Sequence, residues 1–142
     1  MAAMIVEMVG DLCICVHSAA PPSRAEWDHM LDEIRPIPLA RLKILAITDG
    51  GGPDSIQRGQ FIDYLAGSHP RVAVVSDSIA VRGIATALSW FTSNLKVFSP
   101  SAFHQAFAYL DLKGVSDTAV RERVRAAAGK LTGPELKAAS GL

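Results

Sequence analysis

Five short apolar segments, separated by stretches with helical spacing of apolar residues, constrain the fold of this chain more than any other feature. The segments cover residues 4–9, 12–16, 42–47, 71–75 and 95–98. Because a right-handed crossover places a helix between successive parallel strands, this alternation predicts an α/β domain with a mainly parallel sheet. We expect a mixed sheet of four or five strands that opens with a β-hairpin, continues with alternating helices and strands, and carries helices packed on it.

The first two segments are divided by Gly10-Asp11. Glycine accepts the positive φ that a type II′ turn requires, so this pair predicts the hairpin. Cys13 and Cys15 lie in the second segment, where the two-residue period of a strand puts both on one face. A disulfide between them would be strained, so we expect reduced thiols in the core. A redox or metal pair is the alternative, with His17 as the only nearby ligand type.

Capping patterns mark where the connecting helices begin. Ser, Asp and Asn side chains accept hydrogen bonds from the free amides of a first helical turn, and proline is preorganised for the first helical position. The predicted starts are, in chain order, Ser23 with Glu26 as a capping box, Asp54 or Ser55, the segment Ser76-Asp77-Ser78, and Ser99-Pro100.

The chain changes in composition after Gly114. Residues 116–128 are rich in Ala and Arg, with Val120 and Val124 as the main apolar anchors, and Thr132-Gly133-Pro134-Glu135 is a second capping-box pattern. We therefore divide the chain into an α/β domain over residues 1–112 and a C-terminal helical extension over residues 113–142. The extension has few large apolar residues, so we expect it to pack loosely on the domain or to dock on a partner.

The charge and hydropathy of the chain narrow the classes of partner. Its 142 residues include 14 basic and 14 acidic side chains, a balance that offers no footprint for nucleic acid or an anionic membrane. Zero net charge also leaves little repulsion between copies, which favours a homo-oligomer. No apolar run approaches the roughly 20 residues that span a bilayer, and the N-terminus lacks the basic region of a secretory signal. We expect a cytoplasmic protein.

The order of elements resembles the STAS domain family, the anti-sigma-factor-antagonist and sulfate-transporter domains, and especially its single-domain bacterial members. The likeness spans residues 4–112. It is carried by the opening hairpin, by strand 42–49 with a helix opening at Asp54-Ser55, and by residues 71–110, where a helix ends at Leu88-Ser89-Trp90-Phe91. The resemblance implies a four- or five-stranded sheet backed by helices, and a role in protein–protein switching or small-ligand binding rather than catalysis.

The resemblance also implies a phosphorylation candidate. In anti-sigma antagonists a partner kinase modifies a serine at the start of the helix after the central strand, within an Asp-Ser-Ser-Gly-like motif. Asp54-Ser55 falls in that place, although Ile56 and Gln57 replace the second small residue and the glycine, and residues 50–53 lengthen the approach. Free amides and the positive end of the helix dipole would stabilise a phosphate on Ser55. The structural alternative is that Asp54 or Ser55 only caps the helix.

Polar and glycine residues follow two of the predicted strands and form a candidate binding rim. In open α/β sheets ligands bind beyond the carboxyl ends of the strands, and glycines let backbone amides approach an anion. If the two strands are neighbours, both loops border one space. A flexible connection or a helix cap would explain the same residues without a ligand. The rim for a protein partner or ligand comprises Thr48, Asp49, Gly50, Gly51, Asp54, Ser76, Asp77, Ser78 and Arg82.

No pattern in the sequence predicts a catalytic or metal site, and we expect no cofactor. No histidine has a second ligand at helical or strand spacing, and no Gly-x-Ser-x-Gly elbow occurs. His17, His29, His69 and His104 are therefore interpreted as structural or solvated. An enzyme that uses Asp49 and Asp77 at the rim is a third hypothesis.

The predicted function is a non-enzymatic STAS-like regulatory or scaffold module. It would bind a protein partner, of the regulatory-protein or kinase class, with phosphorylation near Ser55 as a switch. The alternative is a carrier for a small molecule or lipid, with a pocket walled by aromatic side chains. The aromatic residues for that pocket are Trp27, Phe61, Trp90, Phe91, Phe98, Phe103 and Phe107. A flat rim would favour the protein partner, and a deep aromatic-walled pocket would favour the ligand.

Overall fold

A five-stranded mixed sheet lies at the centre of the molecule. The computed structural model describes residues 2–89, 92–131, 136–139 and 142. The sheet has the order β1-β2-β3-β4-β5, with β1 antiparallel to β2 and all later neighbours parallel. The predicted α/β fold, with its N-terminal hairpin and alternating helices and strands, is confirmed. The strands are β1 (Met4–Val9), β2 (Leu12–His17), β3 (Lys43–Thr48), β4 (Arg71–Val75) and β5 (Leu95–Phe98).

Helices cover both faces of this sheet. From β2 to β5 each strand is placed next to the preceding one, always on the same side. Because such crossovers are right-handed, the three connecting helices lie on the same face of the sheet. Two later helices cover the other face. None of the helices within the described ranges is both long and apolar enough to cross a bilayer. The α-helices are α1 (Arg24–Ile34), α2 (Ser55–Leu65), α3 (Ile79–Ser89), α4 (Phe103–Leu110) and α5 (Asp117–Ala128), and single 3-10 turns lie at Pro100–Ala102 and Lys137–Ala139.

The turn between β1 and β2 has the predicted form. Val9 pairs with Leu12, which leaves two residues in the turn. Gly10 has a φ of +59°, and Asp11 does not share the positive φ. Positive φ at the first central residue alone is the pattern of a type II′ turn.

Strand β2 shows how the two layers divide the core. All six of its residues are buried, because helices cover both of its faces. Cys13 and Cys15 face the α1–α3 layer, with their Sγ atoms 3.7 Å apart and both thiols free, as predicted. The hydrogen bond with Cys15 and burial raise the pKa of the Cys13 thiol. The alternate residues, Leu12, Ile14 and Val16, face the α4–α5 layer.

The caps predicted for the first and third helices are present. The Ser23 hydroxyl accepts a hydrogen bond from the Glu26 amide at 3.1 Å, and the Glu26 carboxylate accepts one from the Ser23 amide at 2.8 Å. Helix α1 therefore begins with a complete capping box. The Ser78 hydroxyl accepts from the Val81 amide at 3.3 Å at the start of α3.

The start of the fourth helix differs from the prediction. Pro100 takes the first helical position, but of a 3-10 turn. The Ser99 hydroxyl forms a hydrogen bond with the Ser101 hydroxyl at 3.1 Å and caps no backbone amide. Helix α4 itself begins after this turn, at Phe103, and also has no side-chain cap.

The residues after Gly114 pack on the sheet of their own chain. Helix α5 begins after Ser116, whose hydroxyl accepts from the Ala119 amide at 3.1 Å. Val120 and Val124 are fully buried against the side chains of β2. The extension therefore forms part of the second core layer instead of a loosely attached segment. The capping-box pattern at residues 132–135 lies outside the described residues.

Candidate binding rim and the cavity beneath it

The carboxyl ends of β3 and β4 lie side by side, which brings the two predicted loops together. Ile47 pairs with Val75 in the last step of the parallel ladder. One residue further, the buried Ser76 hydroxyl donates to the Thr48 carbonyl oxygen at 2.6 Å and accepts from the Ser78 amide at 3.1 Å. Ser76 thus joins the end of β3 to the start of α3 and holds this part of the rim in one arrangement.

The glycine loop after β3 is held by its own backbone bonds. The Thr48 hydroxyl donates to the Gly51 carbonyl oxygen at 2.5 Å and accepts from the Gly50 amide at 3.1 Å. The Gly51 amide donates to the Ser18 carbonyl oxygen at 2.8 Å. Because both glycine amides already donate inside the protein, neither is free to hold an anion in this arrangement.

Asp49 connects the rim to the C-terminal extension. Its carboxylate accepts hydrogen bonds from the Lys137 amide at 2.6 Å and from the Ala138 amide at 2.7 Å. The carboxylate therefore anchors the first amides of the last 3-10 turn, across 88 and 89 residues of sequence. One depression beside this contact is lined by five of the rim residues: Thr48, Asp49, Ser76, Asp77 and Ser78.

Replacing Asp49 by Ala is expected to detach the last turn from the rim. Two charge-assisted hydrogen bonds are lost, at a cost of about 1–2 kcal/mol in the free energy of unfolding. Hydrogen exchange at the Lys137 and Ala138 amides should become at least about tenfold faster. The matched control is Asp77→Ala, which removes an exposed carboxylate from the same depression. Unchanged protection of both amides in Asp49→Ala would contradict this assignment.

Asp54 and Ser55, the two residues predicted at the start of α2, have different roles there. Asp54 is the N-cap: its carboxylate accepts from the Gln57 amide at 2.8 Å, and the Gln57 side chain accepts from the Asp54 amide at 3.0 Å. Ser55 is the first helical residue and is exposed. The cap function thus falls on Asp54, and the Ser55 side chain is accessible to a modifying enzyme.

Two exposed isoleucines flank the rim, and the sequence analysis did not single them out. Among the described residues they are the large apolar side chains that stay exposed, Ile56 by 70% and Ile79 by 86%. Ile56 follows Ser55 in the first turn of α2, and Ile79 follows Ser78 as the first residue of α3. Arg82, one turn further along α3, is also exposed. Neither isoleucine fits the buried stripe of its helix, which is the signal that could have identified them.

A cavity of about 80 Å³ lies between the sheet and helices α1, α2 and α3. Its lining is almost wholly apolar, and the rim residues Thr48 and Gly51 also border it, together with Gly52. Trp27 and Phe61 line it, with ring centroids 6.5 Å apart in an edge-to-face arrangement. The aromatic wall predicted from the sequence is present only in part. Phe98, Phe103 and Phe107 pack in the opposite core layer, and Trp90 and Phe91 lie outside the described residues.

Two buried side chains that line this cavity have polar atoms without partners in the described part of the chain. These atoms are Nδ1 of His17, a residue 4% exposed, and Nε1 of Trp27, a residue 6% exposed. Burying such a group unpaired costs about 1–3 kcal/mol. Burial lowers the pKa of His17 to about 4, against a smaller opposing effect of Glu26, so the imidazole is neutral at pH 7.

His17 was not predicted as a member of a site. It follows the predicted strand, which ends at Val16, whereas β2 includes it. The alternation Cys13, Cys15, His17 would have placed it on the same face as the two thiols. The other three histidines are exposed: His29 lies 3.6 Å from Glu33, and the His69 ring accepts from the Ser93 amide at 3.3 Å. In the described ranges no three His, Cys, Asp or Glu side chains cluster with metal-ligand geometry.

Comparison of the chain with protein-family models, with curated proteins and with solved structures returns no match.

Proposed function

We propose that this protein is a non-enzymatic, STAS-like regulatory or scaffold module that binds a protein partner at its rim. The observation that carries the proposal is the pair of exposed isoleucines, Ile56 and Ile79, beside the polar rim. Single exposed apolar residues are ordinary, but two at one edge, among polar side chains, have the composition of a protein-binding surface. The α/β order with its opening hairpin is the one that the STAS resemblance implies.

The state of the two rim carboxylates favours binding over catalysis. Each carboxylate oxygen of Asp49 accepts a hydrogen bond from a backbone amide of the C-terminal turn. Asp77 is exposed to solvent. A general base must direct a free lone pair at its substrate. Both oxygens of Asp49 are already engaged by the chain itself, and no hydrogen bond from a described residue orients the carboxylate of Asp77.

Ser55 is the proposed switch of this surface. A phosphate there would add about −1.5 to −2 charges at the positive end of the α2 dipole. It would stand directly beside Ile56, in the surface proposed for the partner. The negative charge of the Asp54 carboxylate, which caps the helix through the Gln57 amide, opposes part of the added charge. Phosphorylation would therefore change the contact surface more than the stability of the helix.

The partner surface is tested by affinity chromatography with the full chain, from cells that produce the protein. We expect a specific protein to bind the wild type and to bind the double variant Ile56→Ser/Ile79→Ser at least about tenfold more weakly. Both side chains are exposed, so the variant should keep its stability within about 0.5 kcal/mol. The matched control is Gln105→Ser, an exposed position on α4 of the opposite layer. The proposal would be contradicted if no protein bound the wild type, or if the double variant bound the same proteins equally well.

The switch is tested with the partner that this experiment identifies. Ser55→Asp should change its Kd at least about fivefold, whereas Ser101→Asp, an exposed serine at the 3-10 turn before α4, should not. Equal Kd values for Ser55→Asp and the wild type, with no phosphate on Ser55 in protein from native cells, would remove the switch and leave the binding surface.

The carrier hypothesis keeps one observation in its favour, the cavity beneath the rim. Its volume of about 80 Å³ is too small for a lipid chain, since roughly 150 Å³ is needed for benzene. The cavity therefore favours an occupant much smaller than a lipid.

A further inference from the structure

Strand β1 is one outer edge of the sheet, and within the described ranges no strand pairs with its outer side along residues 4–9. A bridge between Ala2 and Leu131 lies just before the strand begins. Proteins normally protect such an edge, because its row of unpaired backbone groups is a template for another strand. The opposite edge, β5, has two of the usual protections: it is only four residues long, and its Lys96 is exposed.

Strand β1 lacks these protections. It is six residues long, and it pairs with β2 in an unbroken register that contains no bulge. It has no proline and one charged residue. A long apolar edge without such features is the kind that accepts a further strand. The half-buried apolar side chains of β1 are Ile5, Val6, Met8 and Val9.

The hydrogen bonds around β1 show which of its backbone groups point outwards. The Ala3 carbonyl oxygen accepts from the amide of the residue after β2 at 2.9 Å, so Ala3 and every second residue after it face β2. The alternate residues, Met4, Val6 and Met8, direct their amide and carbonyl groups away from the sheet. The Met4 amide donates to the Glu26 carboxylate at 3.0 Å. Val6 and Met8 therefore carry outward amides that no described residue pairs.

A second copy of β1 fits this edge as an antiparallel strand. With Val6 on the two-fold axis, Val6 lies opposite Val6, and Met8 lies opposite Met4 of the other copy. The two Val6 residues then exchange hydrogen bonds, and each Met8 amide donates to the Met4 carbonyl oxygen of the other copy. Both outward amides of the edge are satisfied in this register.

The neighbouring registers are less favourable. With the axis at Glu7, the two carboxylates lie directly opposite each other, and like charges in that position are destabilising. With the axis at Ile5, Met8 lies opposite Ala2, which already pairs with Leu131. The sequence of β1 therefore favours the register centred on Val6.

The charges beside the edge also fit a second copy. The carboxylate of Glu7 accepts hydrogen bonds from Arg123 at 3.4 Å and from Lys130 at 3.3 Å, and both cations are exposed. Each copy thus brings two cations and one carboxylate to the same face of the sheet. In the register centred on Val6, Glu7 lies opposite Ile5, and the two Glu7 side chains are diagonal neighbours, roughly 7–8 Å apart. The second cation of each copy can then pair with the Glu7 carboxylate of the other.

We propose that β1 is the self-association edge of this protein, and that a second copy pairs with it antiparallel about Val6 to form one continuous sheet. The interface is isologous, since the same residues of both copies face each other. It gives a surface to the homo-oligomer that the zero net charge favours. The two-fold axis is perpendicular to the sheet, so the two rims point in opposite directions. The dimer therefore presents two separate rims, whatever binds there.

The experiment is sedimentation velocity and native mass spectrometry of the full chain over a range of concentrations. A small edge interface is weak, so we expect a dimer with a Kd in the micromolar range. Val6→Pro removes the outward amide without breaking the bonds to β2, and it should weaken the dimer at least about tenfold. The matched control is Val97→Pro on the other edge. Asn94 and Phe98 accept from amides on the β4 side, so Val97 points outwards, and this variant should keep the wild-type Kd.

Hydrogen exchange of the wild type tests the register without any substitution. At concentrations above the Kd, the Val6 and Met8 amides should exchange at least about tenfold more slowly than at concentrations below it, whereas the Val97 amide should not change. The proposal would be overturned by a chain that stays monomeric up to about 1 mM. A dimer that persists unchanged in Val6→Pro, exchange at Val6 and Met8 that is independent of concentration, or a different polypeptide bound in place of the second copy would also overturn it. Each of these results leaves the chromatography test of the rim unaffected.

Discussion

Gly51→Ala is expected to lower the free energy of unfolding by about 3 kcal/mol or more. A Cβ atom at this position would lie 2.5 Å from the Ser18 carbonyl oxygen and even closer to that of Ala20. Both are backbone atoms, so no side chain can move aside to make room. The loop would have to shift away, and the bond from the Gly51 amide to Ser18 would be lost with it.

The matched control is the same substitution at Gly59. This glycine lies within α2, and a Cβ atom there would meet no atom within 4 Å. Gly59→Ala should raise the free energy of unfolding by about 0.5–1 kcal/mol, because alanine has the higher helix propensity. Chemical denaturation of both variants measures the two effects. If Gly51→Ala were as stable as the wild type, the close approach of the glycine loop to residues 18–20 would be wrong.

Lowering the pH from 6.5 to 4 is expected to cost about 3 kcal/mol of stability through His17 alone. Its pKa is about 6.5 in the unfolded chain and about 4 in the folded protein, because burial disfavours the imidazolium ion. Between these values the unfolded state binds one more proton than the folded state. The free energy of unfolding is therefore highest above pH 6.5, falls as the pH drops towards 4, and gains no further dependence from His17 below that value.

Denaturant titrations between pH 4 and pH 8 test this dependence. In His17→Leu the fall between pH 6.5 and pH 4.5 should be absent, and in His29→Gln it should persist, because His29 is exposed. Glu26 does not imitate the effect above pH 4.5, because its pKa is lowered: although burial opposes it, the carboxylate accepts hydrogen bonds from the backbone of Ser23, Met4 and Ala3. A wild type whose stability is constant across this range would contradict the buried neutral state of His17.

The elements of this fold can largely be predicted from short stretches of sequence. The type II′ turn depends on Gly10 alone, and the start of α1 depends on Ser23 and Glu26, three residues apart. Local sequence is less informative where the same residues can begin either an α-helix or a 3-10 turn. Ser99-Pro100 satisfied the rule for a helix start, yet the hydroxyl bonds to Ser101 and the chain makes a 3-10 turn first.

The sequence predicted the candidate site only through a general rule about parallel sheets. That rule places the ends of parallel strands at one edge, and it grouped Thr48 with Ser76 on the condition that their strands were neighbours. The rule could not show that the carboxylate of Asp49 would accept hydrogen bonds from the amides of residues 137 and 138. Nor does that rule concern Ile56 and Ile79, which only their position outside the buried stripe of each helix could have identified.

The sequence by itself determined which segments become strands and helices and which face of each is apolar, because periodicity and capping act over a few residues. Only the tertiary structure decided what those faces enclose. His17 and Trp27 border one cavity because α1 packs on one face of the sheet that contains β2, and Gly51 must lack a side chain because residues 18–20 pass beside it. Such relations depend on contacts between segments that are distant in sequence. Packing sets the volume of the cavity and leaves polar atoms unpaired, and neither produces a periodic pattern in the sequence.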